Sequence, residues 1–295
     1  MQLKKEFVNR QSLKFLEIGA YDKAALCECG PRTERNLALE LDALDCLRFF
    51  PQVEHLILRP GALQQESLAY LKGLPILSLR LDYYSDCIDG DTIHLGQFPK
   101  LQYLSSGTQF NFSDLSACPS LRTLVVTQWS EQDLTALQSE GLLALRIMSG
   151  KLRSLNGLQN LPSLRSLDLS YQQKLSDVRE LASADLESLQ LERCNHVDVT
   201  ALPSLCELRY LSLIGTQRVE NLSFLKRFPR LEDVTLDIWV ADGDLQPLFE
   251  MKSARILQDR RHYSARHRDL SKSRMFHSAY IPPWLEILPE AFSPV

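Results

Sequence analysis

Apolar residues recur along this chain in one local pattern, Leu-x-x-Leu-x-Leu, which returns about every 22 residues. From Val53 to Leu231, successive copies begin 20 to 25 residues apart. The copies begin at Leu13, Val53, Ile76, Leu101, Leu121, Leu142, Leu164, Leu186, Leu208 and Leu231. Because the last two apolar positions of each copy are two residues apart, each copy predicts a short β-strand with one buried face.

The half of each unit that follows the strand also repeats. It carries an apolar residue, a short polar step, Leu-x-x-Leu and then Pro or a small residue, as in 155–162 and 222–229. Roughly ten residues remain for this return, too few for a long helix, so we expect a short 3₁₀ or irregular segment. One unit cannot bury its strand face alone, so neighbouring units should stack into one continuous core.

This ladder resembles the leucine-rich-repeat family, in particular its short units as in the internalins and the phosphatase-regulator type. The resemblance covers roughly residues 10–258. It implies an α/β fold, a right-handed solenoid with about ten parallel strands on its concave face, and a role in protein recognition. We expect an irregular N-terminal cap in 1–52, the repeats in 53–251 and a basic C-terminal cap in 252–295. The interval between the first two copies has room for one irregular unit, at 36–41.

The chain departs from that family at the position where the family usually has Asn to satisfy backbone groups of the turn. This position lies three residues after the last repeat leucine. It reads Gly61, Tyr84, Gln109, Trp129, Gly150, Gln172, Cys194, Thr216 and Trp239. Only Cys194 and Thr216 are ordinary substitutes. Three bulky aromatic residues do not all fit a tight interior turn, so we expect rearranged loops that bring Tyr84, Trp129 and Trp239 toward the surface.

Composition and charge narrow the function classes. The chain is 44% apolar and 24% charged, which is typical of a folded globular protein. A formal net charge of −4 gives no general attraction to nucleic acid or anionic membranes. We expect neither a membrane helix nor an export signal. Seven scattered cysteines, an odd number, favour a reducing compartment, so we expect a cytoplasmic protein. We also expect a monomer.

Motifs that carry catalysis or cofactor binding are missing from the sequence. It contains no Walker loop, dinucleotide-binding glycine pattern, His-Glu-x-x-His or nucleophile elbow. Cys27 and Cys29 lack a second cysteine or histidine pair at zinc-finger spacing. We therefore expect no enzymatic activity, no cofactor and no metal site.

The concave face is where we expect a function, because strand alternation points the residues between the leucines outward there. Arginines lie in the first half of this face and acids in the second. Tyr and Arg are enriched at binding hot spots. The predicted protein-binding residues are Arg59, Arg80, Tyr103, Trp129, Arg146, Met148, Asp168, Glu192, Tyr210, Asp233, Asp237 and Trp239. A mixed-charge face that binds nothing is the alternative.

Residues 252–274 form a basic segment. Eight basic residues against two acidic ones give it a net charge of +6, which leaves −10 for the rest of the chain. Apolar side chains interleave with these charges, so the segment is best interpreted as part of the C-terminal cap. Binding to nucleic acid or to an acidic partner is the alternative.

The sequence therefore predicts a non-enzymatic protein that captures a folded partner on its concave face, where the acids select a basic patch. An immunity protein or inhibitor that neutralises a toxin or enzyme is the most concrete form of this hypothesis. A regulatory scaffold in a larger assembly is the alternative in the same class.

Overall fold

The structure is a computed structural model that describes residues 15–18, 38–39, 54–58, 73–81, 95–107 and 112–270. The chain divides into two compact units, and the boundary falls between Leu124 and Val125. Strand β6 (Thr123–Val126) lies at this boundary.

Parallel pairing joins five strands in the first unit. They are β1 (Phe15–Ile18), β2 (Ala38–Leu39), β3 (His55–Leu58), β4 (Ser78–Leu81) and β5 (Tyr103–Ser106). Their order is β2-β1-β3-β4-β5. The interval 36–41, where an irregular unit is expected, contains β2, but β2 does not lie between β1 and β3 in the sheet, because β1 pairs directly with β3. Short 3₁₀ segments occur at Leu95–Gln97 and Phe112–Ala117.

The second unit has six strands after the boundary, each paired in parallel with the next one along the chain. They are β7 (Ala144–Met148), β8 (Ser166–Ser170), β9 (Ser188–Glu192), β10 (Tyr210–Val219), β11 (Asp233–Val240) and β12 (Ser253–Ile256). The 3₁₀ segments of this unit are Leu158–Asn160, Arg179–Ser183, Val199–Ala201, Ser223–Arg227, Gln246–Glu250 and His267–Asp269.

The repeat leucines form the core of the second unit. The middle leucine of the pattern stacks in register from strand to strand, as in Leu167, Leu189 and Leu211. These side chains are at most 2% exposed. A residue two positions along the same strand points to the same face, so Leu169, Leu191 and Leu213 form a second buried row. The prediction of parallel strands with one leucine face is confirmed.

The return segments are tight because their leucines are three residues apart. Leu155, Leu158, Leu161 and Leu164 are linked by successive backbone hydrogen bonds of 3.0 Å, each from an N–H to the carbonyl three residues earlier. Three residues per turn place these side chains above one another on one face, and all four are buried. The predicted 3₁₀ returns are confirmed, and no described return segment is an α-helix.

An Asp or Asn side chain starts several of these returns. Asp198 accepts a hydrogen bond from the backbone N–H of Thr200 at 2.9 Å, and Asn221 does the same for Ser223. Asp133 holds the N–H of Thr135 at 3.0 Å, and its pKa is lowered by the side-chain and backbone hydrogen bonds from that threonine. These side chains satisfy backbone donors that the short 3₁₀ turn leaves open.

Candidate functional site

The face of the second unit opposite the leucine core carries polar side chains at the alternate strand positions. We call the outward residues of β7–β11, as far along the strands as Asp237 and its in-register partners, the polar face. Its central row joins Arg146, Asp168, Gln190, Ser212 and Thr235 in register. The row that follows joins Met148, Ser170, Glu192, Ile214 and Asp237. Adjacent strands lie about 4.8 Å apart, so neighbouring members of a row are within contact distance.

Asp168 is the unusual member of the polar face, because it is an ionisable side chain that is only 3% exposed. Its Oδ2 lies 3.1 Å from Nε of Arg146 on the neighbouring strand, and Ser170 donates a hydrogen bond to its Oδ1 at 3.2 Å. Neither Nε nor Oδ2 makes a well-directed hydrogen bond, so the pair is held by charge alone.

Burial raises the pKa of Asp168 to about 6, against the opposing effect of the Arg146 charge, while the Glu192 charge pushes it further up. The desolvation of the carboxylate therefore outweighs its ion pair. The folded protein carries a charged group whose ionised form costs stability at neutral pH. Such groups concentrate at functional sites.

Other acids on the polar face are less buried. Glu192, Asp233 and Asp237 are half-buried, and Asp237 accepts a 3.4 Å hydrogen bond from Gln258. Tyr210 is also half-buried, with the guanidinium carbon of Arg209 5.7 Å from its ring centre. Four acids and a tyrosine thus share a face on which Arg146 and Asp168 form a guanidinium–carboxylate pair.

The predicted binding residues of the first unit differ in their exposure. Arg59 lies outside the described residues. Arg80 is half-buried on β4. Tyr103 is 4% exposed, and its in-register neighbour Ser78 is fully buried. The expectation of an exposed Tyr103 is therefore wrong, because this part of its face is closed to solvent.

Trp129 does not reach the surface, contrary to the sequence expectation. Its side chain is 1% exposed, and its Nε1–H donates to the carbonyl of Asp133 at 2.9 Å. The indole has room because the facing residue of the next unit is Gly150, where a Cβ would lie 2.8 Å from the Cβ of Trp129. Tyr84 lies outside the described residues. Trp239 is 37% exposed, so its expected surface position is confirmed.

Other side chains replace the missing Asn of the turns. Gln172 is fully buried, and its amide donates to the carbonyls of Ser170 and Ile147 at 3.1 and 3.5 Å. The thiol of Cys194 donates to the carbonyls of Leu169 and Glu192 at 3.3 and 3.6 Å. Burial raises the pKa of that thiol to about 12. Gln217 donates to the carbonyl of Cys194 at 3.0 Å. The turns thus keep a buried donor ladder without asparagine.

A second surface, of which the sequence analysis predicted only Trp239, lies at the carboxyl ends of the strands. Ser149, Tyr171 and Arg193 follow β7, β8 and β9, and all three have positive φ angles of 52° to 61°. Non-glycine residues rarely adopt this conformation. Tyr171 is 42% exposed, and the guanidinium carbon of Arg193 lies 5.8 Å from its ring centre.

Trp239 continues this edge on β11. Arg218 pairs with Trp239 across β10 and β11, and its guanidinium carbon lies 6.0 Å from the indole centre. The guanidinium of Arg260 lies at 4.7 Å, and the His262 ring stacks on the indole at 4.7 Å with an interplanar angle of 26°. His262 is fixed by a 2.8 Å hydrogen bond between its Nε2 and the carbonyl of Val240. We define the cationic rim as Tyr171, Arg193, Arg218, Trp239, Arg260 and His262.

Within the described residues, no group of three or more His, Cys, Asp or Glu side chains could hold a metal ion. The described part of the chain also contains no helix with the length and apolarity needed to cross a bilayer.

Comparisons with known proteins add a similarity in structure. No family model matches the chain, and no curated protein matches it. The fold is similar to that of an internalin (inlF) from Listeria monocytogenes str. 4b F2365, at 14% sequence identity and a TM-score of 0.43. The match covers 82% of this chain and 72% of the internalin chain.

At this identity and TM-score the similarity does not establish a family, and the fold follows from the geometry of the chain itself. The leucines stack in register on parallel strands, the returns are 3₁₀ segments, and buried donors line the turns. This geometry matches the leucine-rich-repeat fold that the sequence predicted.

Proposed function

We propose that this chain is a non-enzymatic recognition protein that captures a folded protein on the polar face of its second unit. The observation that carries the proposal is Asp168, a carboxylate buried at 3% exposure whose ionised form is disfavoured by its surroundings. A purely structural position is better filled by a neutral side chain, because desolvating a charge costs free energy. A binding role is a reason to keep the charge.

The chemistry of the partner follows from the neighbours of Asp168. Glu192 and Asp237 are in register on β9, β10 and β11, with Ile214 between them. Two half-buried carboxylates across an apolar residue suit a partner that presents Lys or Arg around an aliphatic side chain. Tyr210 supplies an aromatic anchor on the same face. The preformed sheet binds with little ordering cost.

The finer form of the proposal is inhibition by capture. A cytoplasmic immunity protein that covers the active site of a toxin would use such a face, because the active sites of enzymes that act on polyanions are basic. A regulatory scaffold would use the same residues. The experiment therefore tests first whether the polar face binds a protein.

The experiment compares two double variants in affinity capture from native lysate at moderate salt. Glu192→Lys with Asp237→Lys reverses the charge of the polar face. Asp185→Lys with Glu250→Lys changes the same number of charges at exposed positions away from that face. We expect the wild type and the control to retain one protein that the polar-face variant loses.

The recovered protein is then purified and titrated into all three forms by calorimetry. A Kd raised at least tenfold by the polar-face variant, with the control unchanged, is the expected result. Equal affinity for all three forms, or the recovery of nucleic acid alone, would overturn the proposal. Circular dichroism of each variant checks that the fold is retained.

A further inference from the structure

We infer that the cationic rim is a second binding surface, which takes an extended acidic peptide segment. This inference does not depend on the proposed function of the polar face, since the two surfaces share no residue. It begins with the arginines of the rim. Within the described residues, Arg193, Arg218 and Arg260 form no ion pair with a carboxylate.

Several arginines elsewhere in the unit are paired with carboxylates. Arg209 contacts Glu232 at 3.1 Å, Arg179 contacts Asp177 at 2.7 Å, and Arg146 contacts Asp168. The pKa of Glu232 is lowered by its hydrogen bonds from Lys252 and Arg209. The rim differs from these paired positions in holding three guanidinium groups that lack a described carboxylate partner.

These guanidinium groups are also held in place. Each of the three rim arginines lies over an aromatic ring, at 4.7 to 6.0 Å from its centre. A stacked guanidinium keeps its N–H edge available for a carboxylate, and it loses little rotamer freedom on binding. Unpaired, oriented donors are what bidentate recognition of carboxylates requires.

The spacing of the rim fits a peptide. Tyr171 follows β8 and Trp239 lies on β11, so the two ring systems are three strands, roughly 14 Å, apart. An extended peptide covers this distance in four to five residues at about 3.3 Å per residue. Alternate acidic side chains would then face successive arginines.

A nucleic acid fits the rim less well. Base stacking needs an open aromatic face. The indole of Trp239 is flanked by Arg218 on the neighbouring strand and by Arg260 and His262 from the segment after β12.

The test is a titration of ¹⁵N-labelled protein with acetyl-hexaglutamate-amide at low salt, followed through the indole N–H signals. We expect a saturable shift of the Trp239 signal and none for Trp129, whose indole is buried and bonded to Asp133. Arg218→Gln with Arg260→Gln should raise the Kd about tenfold, the effect of losing two exposed ion pairs. Arg153→Gln, at an exposed position outside the rim, is the charge control and should leave it unchanged.

Three results would overturn the inference. The first is no saturable Trp239 shift at millimolar peptide. The second is equal affinity of the double variant and the Arg153→Gln control. The third is tighter binding of dodecathymidylate than of the peptide at the same indole, which would make the rim a nucleic-acid surface.

Discussion

The polar face and the cationic rim lie largely on the same strands, but they differ in the burial and the pairing of their charged groups. On the polar face, the charge of Asp168 is buried against Arg146 and costs stability. On the rim, the charges of Arg193 and Arg218 are exposed, unpaired and supported by aromatic rings. One repeated pattern therefore builds two chemically distinct surfaces. The alternation of side chains along the strands forms the polar face, and residues at the strand ends form the cationic rim.

The largest expected effect tests how the rim is anchored. Gly243 has φ of +70°, and a Cβ there would lie 2.3 Å from the carbonyl oxygen of His262. We expect Gly243→Ala to lower the free energy of unfolding by about 3 kcal/mol, from backbone strain and the clash. Urea unfolding measures this loss.

The control for this variant is Gly157→Ala, which has the same backbone problem away from the rim. Gly157 has φ of +98°, and its Cβ would lie 2.4 Å from the backbone of Leu134. We expect a similar loss of stability with an unchanged Trp239 indole signal, whereas Gly243→Ala should shift that signal. If Gly243→Ala were as stable as the wild type, the backbone at His262 would move away from the new Cβ at little cost in free energy.

The second prediction concerns the free energy of unfolding that is lost when the buried carboxyl group of Asp168 ionises. Its pKa in the folded protein is about 6, above the ordinary value of 3.8, so the group contributes stability below pH 4 that is lost as the pH rises through 6. We therefore expect Asp168→Asn to raise the free energy of unfolding at pH 8 by about 2 to 3 kcal/mol. At pH 4 the variant and the wild type should differ little.

Urea unfolding at both pH values separates this expectation from a general effect of the substitution. The wild type should lose stability between pH 4 and pH 7 relative to Asp168→Asn, because only the wild type ionises there. A variant that is less stable than the wild type at pH 8 would show that the ion pair with Arg146 outweighs desolvation.

The sequence predicted the two surfaces unequally, for a physical reason. Burial of every second residue is a local property, so the leucine pattern located the polar face and Asp168 within it. It did not reveal the burial of Trp129, which depends on the lack of a side chain at Gly150 in the next unit. Apart from Trp239, the rim was also missed, because β10 runs past the leucine pattern and shifts register between Ile214 and Arg218.

The third prediction concerns Tyr263, which supports the end of β11 beneath the rim. Its hydroxyl donates to the carbonyl of Ile238 at 3.0 Å and accepts from the N–H of Val240 at 3.3 Å, and the side chain is 7% exposed. Tyr263→Phe leaves a buried donor and acceptor unpaired, so we expect a loss of about 1 to 2 kcal/mol. Thermal unfolding measures it beside Tyr171→Phe, an exposed position that should change little.

The smallest expected effect separates the two surfaces most sharply. Arg193→Gln removes an exposed guanidinium whose described contact is the ring of Tyr171, so the free energy of unfolding should change by less than about 0.5 kcal/mol. Arg146→Gln removes the charge beside buried Asp168, and it should destabilise the protein at pH 8 and raise the pKa of Asp168 further. Urea midpoints at pH 8 compare the two. If Arg193→Gln cost as much as Arg146→Gln, the rim charges would be structural, and an unpaired guanidinium there would no longer indicate a ligand.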